Sequence, residues 1–396
     1  MTDRTPTRDG NGTTSSNGDT HSRRRFLALS GAAGVAGLAG CSAEQVADEN
    51  GGNGDENDGN GGGNGTVGSG GDDDVLTVGT FGSFVDAPSI SPGEWLKDEF
   101  ESRYDAEIEY ATPDNELNYY VERAASGASM DADLYVGIGT EDLVQIDEGY
   151  DGDLFVSDLA VDGDDDIREG LRFDPFGRAV PYDTGYVSLV YDSTETEAPE
   201  TFEGLLEEEH RGDLIAQNPG SSTTGRSFLL HTVHRFGDEG EYDYLDFWDE
   251  LVENDVRVLD AWSAAYTSWS EGEAPIVVSY STDQVFASQD GADLAQHQIR
   301  FLDDQAYATP SGMALFEEAD NPELAREFMS FMLEPDVQGE IVERNVSFPA
   351  TESAELPPDY DELAHEPDEP VTFSYDELQG SMEDWISAWE RQVAGN

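Results

Sequence analysis

Carboxylates dominate this chain. Its 87 Asp and Glu side chains face 19 Lys and Arg, a formal charge of −68 over 396 residues. Any fold it adopts must keep most of that charge hydrated at the surface. All but one of the basic residues are Arg, and Lys97 is the single lysine. Such acidity fits a protein kept soluble in concentrated salt, where the Debye length shrinks to about 3 Å at 1 M. The same arithmetic excludes several classes. A nucleic-acid binder needs a basic footprint, and none exists here. Lys97 stands in Trp-Leu-Lys-Asp-Glu, so there is no P-loop lysine. One cysteine rules out a disulfide framework, a Cys-rich zinc site and an iron–sulfur cluster. Disorder does not describe the whole chain either, because 37% of residues are hydrophobic and 10% aromatic. The aromatics are dense after residue 75 and nearly absent before it.

The first 40 residues read as an address. Ser22-Arg23-Arg24-Arg25-Phe26-Leu27-Ala28 opens a Tat export signal with its twin arginines. The weakly apolar run that follows is about 15 residues long, short of the roughly 20 that span a bilayer. It ends in Leu38-Ala39-Gly40-Cys41, which resembles a lipobox. Cys41 is therefore expected to carry the lipid anchor, on the outer face of the cytoplasmic membrane. Residues 41–74 are Gly, Asn and acidic residues with no apolar period, a tether too polar to bury a core. A flexible segment of that length spans roughly 30 Å. Asn64-Gly65-Thr66 places a glycosylation sequon within it.

From residue 75 onward strands and helices alternate. Strands are expected at 75–79, 107–110, 132–137, 186–191, 213–216, 256–259 and 276–280. Helices are expected at about 92–104, 115–126, 225–236, 242–253, 322–333, 335–343 and 376–393. Leu96, Phe100 and Tyr104 share one helix face. The βαβ pattern predicts two mainly parallel sheets flanked by helices and joined by a hinge. Residues 75–182 are expected to form the N-terminal part of lobe 1, 183–300 lobe 2, and 301–396 the return to lobe 1 and the C-terminal helices. Two such blocks on an exported chain lead us to expect an α/β, two-lobed, periplasmic-binding-protein-like (type II) architecture. In such sheets ligands sit beyond the carboxyl ends of the strands.

Those strand ends carry distinctive residues. Thr80-Phe81-Gly82-Ser83-Phe84 follows the first strand and Thr112-Pro113-Asp114-Asn115 the second. Gln217 to Gly225 leads into a helix through Ser222 and Thr223, which could simply cap it or bind an anion or hydroxyl. Trp262 stands between Asp260 and Ser263 at a helix start. Tyr280-Ser281-Thr282-Asp283 offers an aromatic, two hydroxyls and a carboxylate. Aromatic faces beside carboxylates suit a flat cationic heterocycle, with a sugar as the other flat-faced candidate. Trp385 and Trp389, four residues apart on the last helix, read as packing.

With these residues the chain resembles the thiamine-binding proteins of bacterial thiamine ABC importers over about 300 residues. The likeness is carried by Leu76-Thr77-Val78 to Phe84, Val180-Pro181-Tyr182-Asp183-Thr184-Gly185-Tyr186 and Pro219 to Gly225. It continues through Trp262-Ser263-x-Ala265-Tyr266, Val278-Ser279-Tyr280-Ser281-Thr282 and Asp384-Trp385-Ile386-Ser387-x-Trp389. The resemblance implies capture of thiamine or a thiamine phosphate, without catalysis or a cofactor. The partners it implies are an ABC permease and its ATPase subunit. The ligand residues it implies are Asp114, Asn115, Ser222, Thr223, Trp262, Tyr280, Ser281, Thr282 and Asp283. Trp262 and Tyr280 would flank the rings, and Asp114 would accept from an aminopyrimidine. Ser222 and Thr223 would hold the hydroxyethyl or phosphate end. Asp183, near the lobe crossing, would oppose the thiazolium charge. Asn115 stands where the family has Gly, and Asp283 where it has Ser. Asn345-Val346-Ser347-Phe348-Pro349 replaces an Asn-Trp-x-Tyr-Pro, so one aromatic wall is missing.

Other readings fit less well. A thiamine precursor would suit the same class of site. Ferric iron would want adjacent tyrosines at the last lobe 2 strand, which instead ends Tyr280-Ser281; Tyr119-Tyr120 falls on a helix. An exported hydrolase lacks support. His231 and His234 form His-x-x-His without the following Glu, and are expected to be solvated or capping. No Gly-x-Ser-x-Gly occurs, and Gly137-Ile138-Gly139 is an incomplete dinucleotide fingerprint. No metal site is expected, and the protein is expected to be a monomer.

Overall fold

The computed structural model describes residues 74–86, 91–289 and 291–394. The export signal, Cys41 and the Asn64 sequon lie outside the described residues. The strands are β1 (Val75–Thr80), β2 (Glu107–Ala111), β3 (Leu134–Ile138), β4 (Ala179–Tyr191), β5 (Leu214–Gln217) and β6 (Arg257–Leu259). They continue as β7 (Ile276–Tyr280), β8 (Gln298–Arg300), β9 (Gln305–Leu315), β10 (Phe348–Pro349) and β11 (Glu369–Val371). The helices begin with α1 (Gly82–Val85), α2 (Pro92–Arg103), α3 (Leu117–Ser126), α4 (Thr140–Gly149), α5 (Thr223–Phe236) and α6 (Tyr244–Glu253). Then come α7 (Trp262–Ser270), α8 (Asp283–Gln289), α9 (Pro322–Met332), α10 (Pro335–Asn345), α11 (Tyr360–Leu363), α12 (Tyr375–Leu378) and α13 (Met382–Trp389).

The sheet runs β2-β1-β3-β9-β4-β7-β5-β6. Its outer triplets are parallel, as the βαβ pattern requires. Between them the long strands β4 and β9 pair antiparallel from Ala179 opposite Ala314 to Val187 opposite Tyr307. The centre is therefore antiparallel, which the alternating pattern at the flanks did not reveal. Beyond that stretch β4 changes neighbours and pairs with β7, Val187 opposite Tyr280. One strand thus serves two cores. Val180 and Tyr182 join Leu76, Val136, Phe100 and Phe328 in the first. Val187, Leu189 and Tyr191 join Phe228, Phe247, Trp248 and Val278 in the second. Nearly every β4 residue is buried, as expected of a strand covered on both faces.

Three local expectations change. The segment expected as a helix over 376–393 is broken: α12 stops, Gly380 takes φ +76, and α13 starts at Met382. A glycine adopts that left-handed conformation without the Cβ penalty, so the chain turns there. The strand expected from 186 begins at Ala179, because Pro181 and Asp183 flank a register shift rather than an end. His231 is not solvated. It is 3% exposed, edge-on to Phe202 at 4.8 Å, and burial drives its pKa down to about 3. On α5 it faces the second core while His234 faces solvent. Trp389 packs as expected, 1% exposed and 5.3 Å from Trp248.

Candidate binding site

The carboxyl ends of β5, β6 and β7 meet around the start of α5 and α7. Helix α5 begins where the loop after β5 turns through Asn218, whose side chain accepts from Gly220 N at 3.0 Å. Ser222 caps the helix, its hydroxyl accepting from Gly225 N at 3.3 Å. The cap lies against the strand end because residue 225 is glycine. A Cβ there would stand 2.5 Å from the Gln217 carbonyl oxygen. Ser221 ties this turn to the next strand end by donating to the Asp260 carbonyl at 2.7 Å.

Trp262 opens α7 and is partly buried. Its Nε1 donates to Ser279 Oγ at 3.0 Å, which fixes the indole edge against β7. Tyr266, one turn on, lies 4.9 Å from the indole at an interplanar angle of 30°. At the end of β7 the Tyr280 hydroxyl pairs with Thr224 Oγ1 at 3.0 Å. Burial raises its pKa, and the Thr224 and Thr223 hydroxyls lower it. Ser222, Thr223, Trp262 and Tyr280 therefore form one group. Thr224, Tyr266 and Ser279 belong to it as well, and the sequence did not single them out for ligand contact. For Tyr266 the signal was present: it lies in the Trp-Ser-x-Ala-Tyr stretch, one helical turn from Trp262.

The rest of the Tyr280 loop turns inward. Ser281 and Thr282 are 0% and 2% exposed, and Ser281 N donates to the Tyr186 carbonyl on β4 at 3.0 Å. The Ser281 hydroxyl is buried without a hydrogen-bond partner. Asp283 is buried and both its oxygens are engaged: Oδ1 by the Tyr266 hydroxyl at 2.6 Å, Oδ2 by His297 Nδ1 at 2.7 Å.

Asp183 sits on the crossing strand and is also buried, with Asn345 Nδ2 donating to its Oδ2. Burial raises its pKa to about 7, opposed by the Asn345 hydrogen bond. Its charge reaches Tyr280. Val346, at the missing aromatic wall, caps α10 with φ +51. Asp114 and Asn115 lie apart in character: both are exposed, in the turn between β2 and α3, at a strand end of the first core.

A charged group unmarked by the sequence links the starts of α4 and α5. Glu141 and Asp142 start α4, and Arg226 lies in the first turn of α5. Burial raises both carboxyls, and Arg226 opposes that rise in each. Glu141 also accepts from Tyr307 on β9 at 3.1 Å. Arg226 Nε is buried without a hydrogen-bond partner. Among the described residues no group of three or more His, Cys, Asp or Glu could hold a metal ion. The Tyr119 hydroxyl donates to Asp131 at 2.6 Å and Tyr120 is fully buried. An open cavity of about 690 Å³ lies elsewhere, lined by Tyr104, Val161, Arg326 and Glu334, and includes none of the residues above.

Comparison with known proteins gives a consistent result. A family described as bacterial extracellular solute-binding protein matches residues 95–367. The chain is 28% identical over 322 residues to the thiamine-binding periplasmic protein of Escherichia coli (strain K12), covering 81% of this chain and 94% of that one. A solved periplasmic thiamin binding protein superposes with a TM-score of 0.69 at 26% identity, covering 81% and 96%. Iron-bound HitA from Pseudomonas aeruginosa superposes at 0.65 with 15% identity, covering 81% and 99%, which speaks to fold alone.

Proposed function

The chain belongs to the bacterial extracellular solute-binding proteins and has a periplasmic-binding-protein-like α/β fold; on that premise we propose that it captures thiamine, or a thiamine phosphate, outside the cell. It would deliver the ligand to an ABC permease driven by an ATPase subunit. The observation that carries this reading is the Trp262 platform. An indole clamped at its edge by Ser279 and on one side by Tyr266 presents a rigid aromatic face. It stands beside hydroxyls from Ser222, Thr223, Thr224 and Tyr280 at the start of a helix. A flat cationic ring stacks on such a face, and a hydroxyl or phosphate suits such a helix start. The thiamine-binding relatives support the same ligand.

The role of this chain is capture rather than bond making. Closure of the two lobes about β4 and β9 would bury the ligand and give the permease a shape to recognise. Asp183, under Tyr280, would be the counter-charge to a thiazolium. A bound cation favours the ionised carboxylate, so thiamine binding near neutral pH would release a proton. Asp114 and Asn115 would approach the ligand from the first lobe on closure.

Calorimetric titration of the mature chain in multimolar salt tests the reading, using thiamine, its phosphates and the isolated pyrimidine half. Tight one-to-one binding of thiamine is expected. Trp262→Ala should weaken it at least about 30-fold, the scale of losing a buried aromatic anchor worth ~2 kcal/mol. A folded protein that binds none of these ligands would refute thiamine while leaving the solute-binding class intact.

A further inference from the structure

We infer that Asp283 is a positioning residue: it locks the aromatic platform from behind and does not itself contact the ligand. Helix α7 carries Trp262, Tyr266 and Trp269 on one side. Tyr266 lies 4.9 Å from Trp262 and 5.1 Å from Trp269. Trp269 in turn meets the edge of His297 at 5.1 Å and 84°. Four rings from two separate segments thus form a continuous ladder. Asp283 closes it, one oxygen accepting from the Tyr266 hydroxyl at 2.6 Å and the other from His297 Nδ1 at 2.7 Å. The Trp269 Nε1 donates to the Pro275 carbonyl at 3.1 Å, pinning the middle of the ladder to the chain entering β7.

This commitment argues against ligand contact. Asp283 is 5% exposed, and each of its oxygens already holds a short bond to a partly buried ring. A carboxylate is the side chain suited to join two such donors, since it offers acceptor lone pairs on both oxygens and no donor. A hydroxyl could accept from one ring but could not span both. The ladder leaves Trp262 as its terminal rung. Tyr266 covers one face of the indole, and the other is where a ligand ring would stack. Freeing Tyr266 would let the indole rotate about its side-chain bonds and cost the site its preorganisation.

The inference rests on Trp262 being the stacking surface, and the test separates the two. The whole mature chain is labelled with 5-fluorotryptophan, and the Trp262 resonance is assigned by its loss in Trp262→Phe. Tyr266→Phe, which keeps the ring and deletes only the hydroxyl, should shift or broaden that resonance in the absence of ligand. Asp283→Asn, which keeps one acceptor oxygen, should perturb it less than Asp283→Ala. Thiamine affinity should fall about tenfold in Tyr266→Phe, the loss of one charge-assisted hydrogen bond. An unchanged Trp262 resonance in folded Tyr266→Phe overturns the inference, whatever the ligand proves to be. Affinity lost in Trp262→Ala but within twofold of wild type in Tyr266→Phe overturns it too, while leaving thiamine capture standing.

Discussion

Asp183 shows what burying a single carboxyl costs. An aspartate titrates near 3.9 in an unfolded chain, whereas burial raises this one to about 7. Between those pH values the folded state holds a proton that the unfolded state has lost. Stability therefore falls as pH rises through that window and is lowest above it. Asp183→Asn removes the penalty. Its unfolding free energy should match wild type at pH 4 and exceed it at pH 8, by a few kcal/mol at ~1.4 kcal/mol per unit. If Asp183 is the counter-charge to the ligand, the same variant should lose thiamine affinity and proton release together. Equal melting curves at both pH values would show that the carboxyl is hydrated. The residue types at the site were legible in the sequence because strand ends could be located. Their engagement was not: Tyr266 to Asp283 and Asp283 to His297 are 17 and 14 positions apart and meet only through the fold.

At the scale of elements, helix starts were the readable part. Ser222 caps α5 as its sequence suggests, and Asp243 caps α6 by accepting from Leu245 N and Asp246 N. Strand β9 was not readable. Gln305–Leu315 contains Pro310 and Gly312 and has neither a clean alternation nor an apolar run. It is a strand because β3 and β4 pair with it on either side. The start of β4 is held by Arg178, whose guanidinium bonds Asp147 on α4 at 2.8 Å and Asp174 at 3.1 Å. Tyr375 at the start of α12 donates to the same Asp147 at 2.6 Å. One cation thus joins a strand, a loop and two helices. Arg178→Ala would take the guanidinium from both carboxylates, leaving Asp147 the Tyr375 hydroxyl and Asp174 the backbone N–H groups of Phe176, Arg178 and Ala179. The expected loss is ~1.5–3 kcal/mol in urea unfolding, and a loss below ~0.5 kcal/mol would mean that water replaces the guanidinium.

The molecule as a whole carries a charge of −68, and its stability should depend on salt accordingly. Ion pairs are screened by salt, but mutual repulsion among 87 carboxylates is screened too, and repulsion is by far the more numerous interaction. The melting temperature should rise steadily from 0.1 to 3 M KCl. A maximum at low salt would contradict adaptation to brine. Export and anchoring are proposed from the chain's first 41 residues. Cys41→Ser should shift the protein from the membrane fraction to the medium, and replacing Arg23, Arg24 and Arg25 by Lys should retain it inside. Among the described residues no helix is long and apolar enough to cross a membrane.

The sequence by itself determined the parts of this protein that depend on near neighbours or on composition. These are the acidic surface, the βαβ flanks, the helix caps and the strand ends where polar and aromatic residues gather. Period and composition encode them because each requires only residues a turn or a pleat apart. The tertiary structure alone decided the antiparallel crossing of β4 and β9, the burial of Asp183 and the ladder that Asp283 closes. It also brought Arg226 towards Glu141 and Asp142. Each of these rests on segments far apart in the chain, whose mutual burial fixes geometry and charge in ways that no local pattern records.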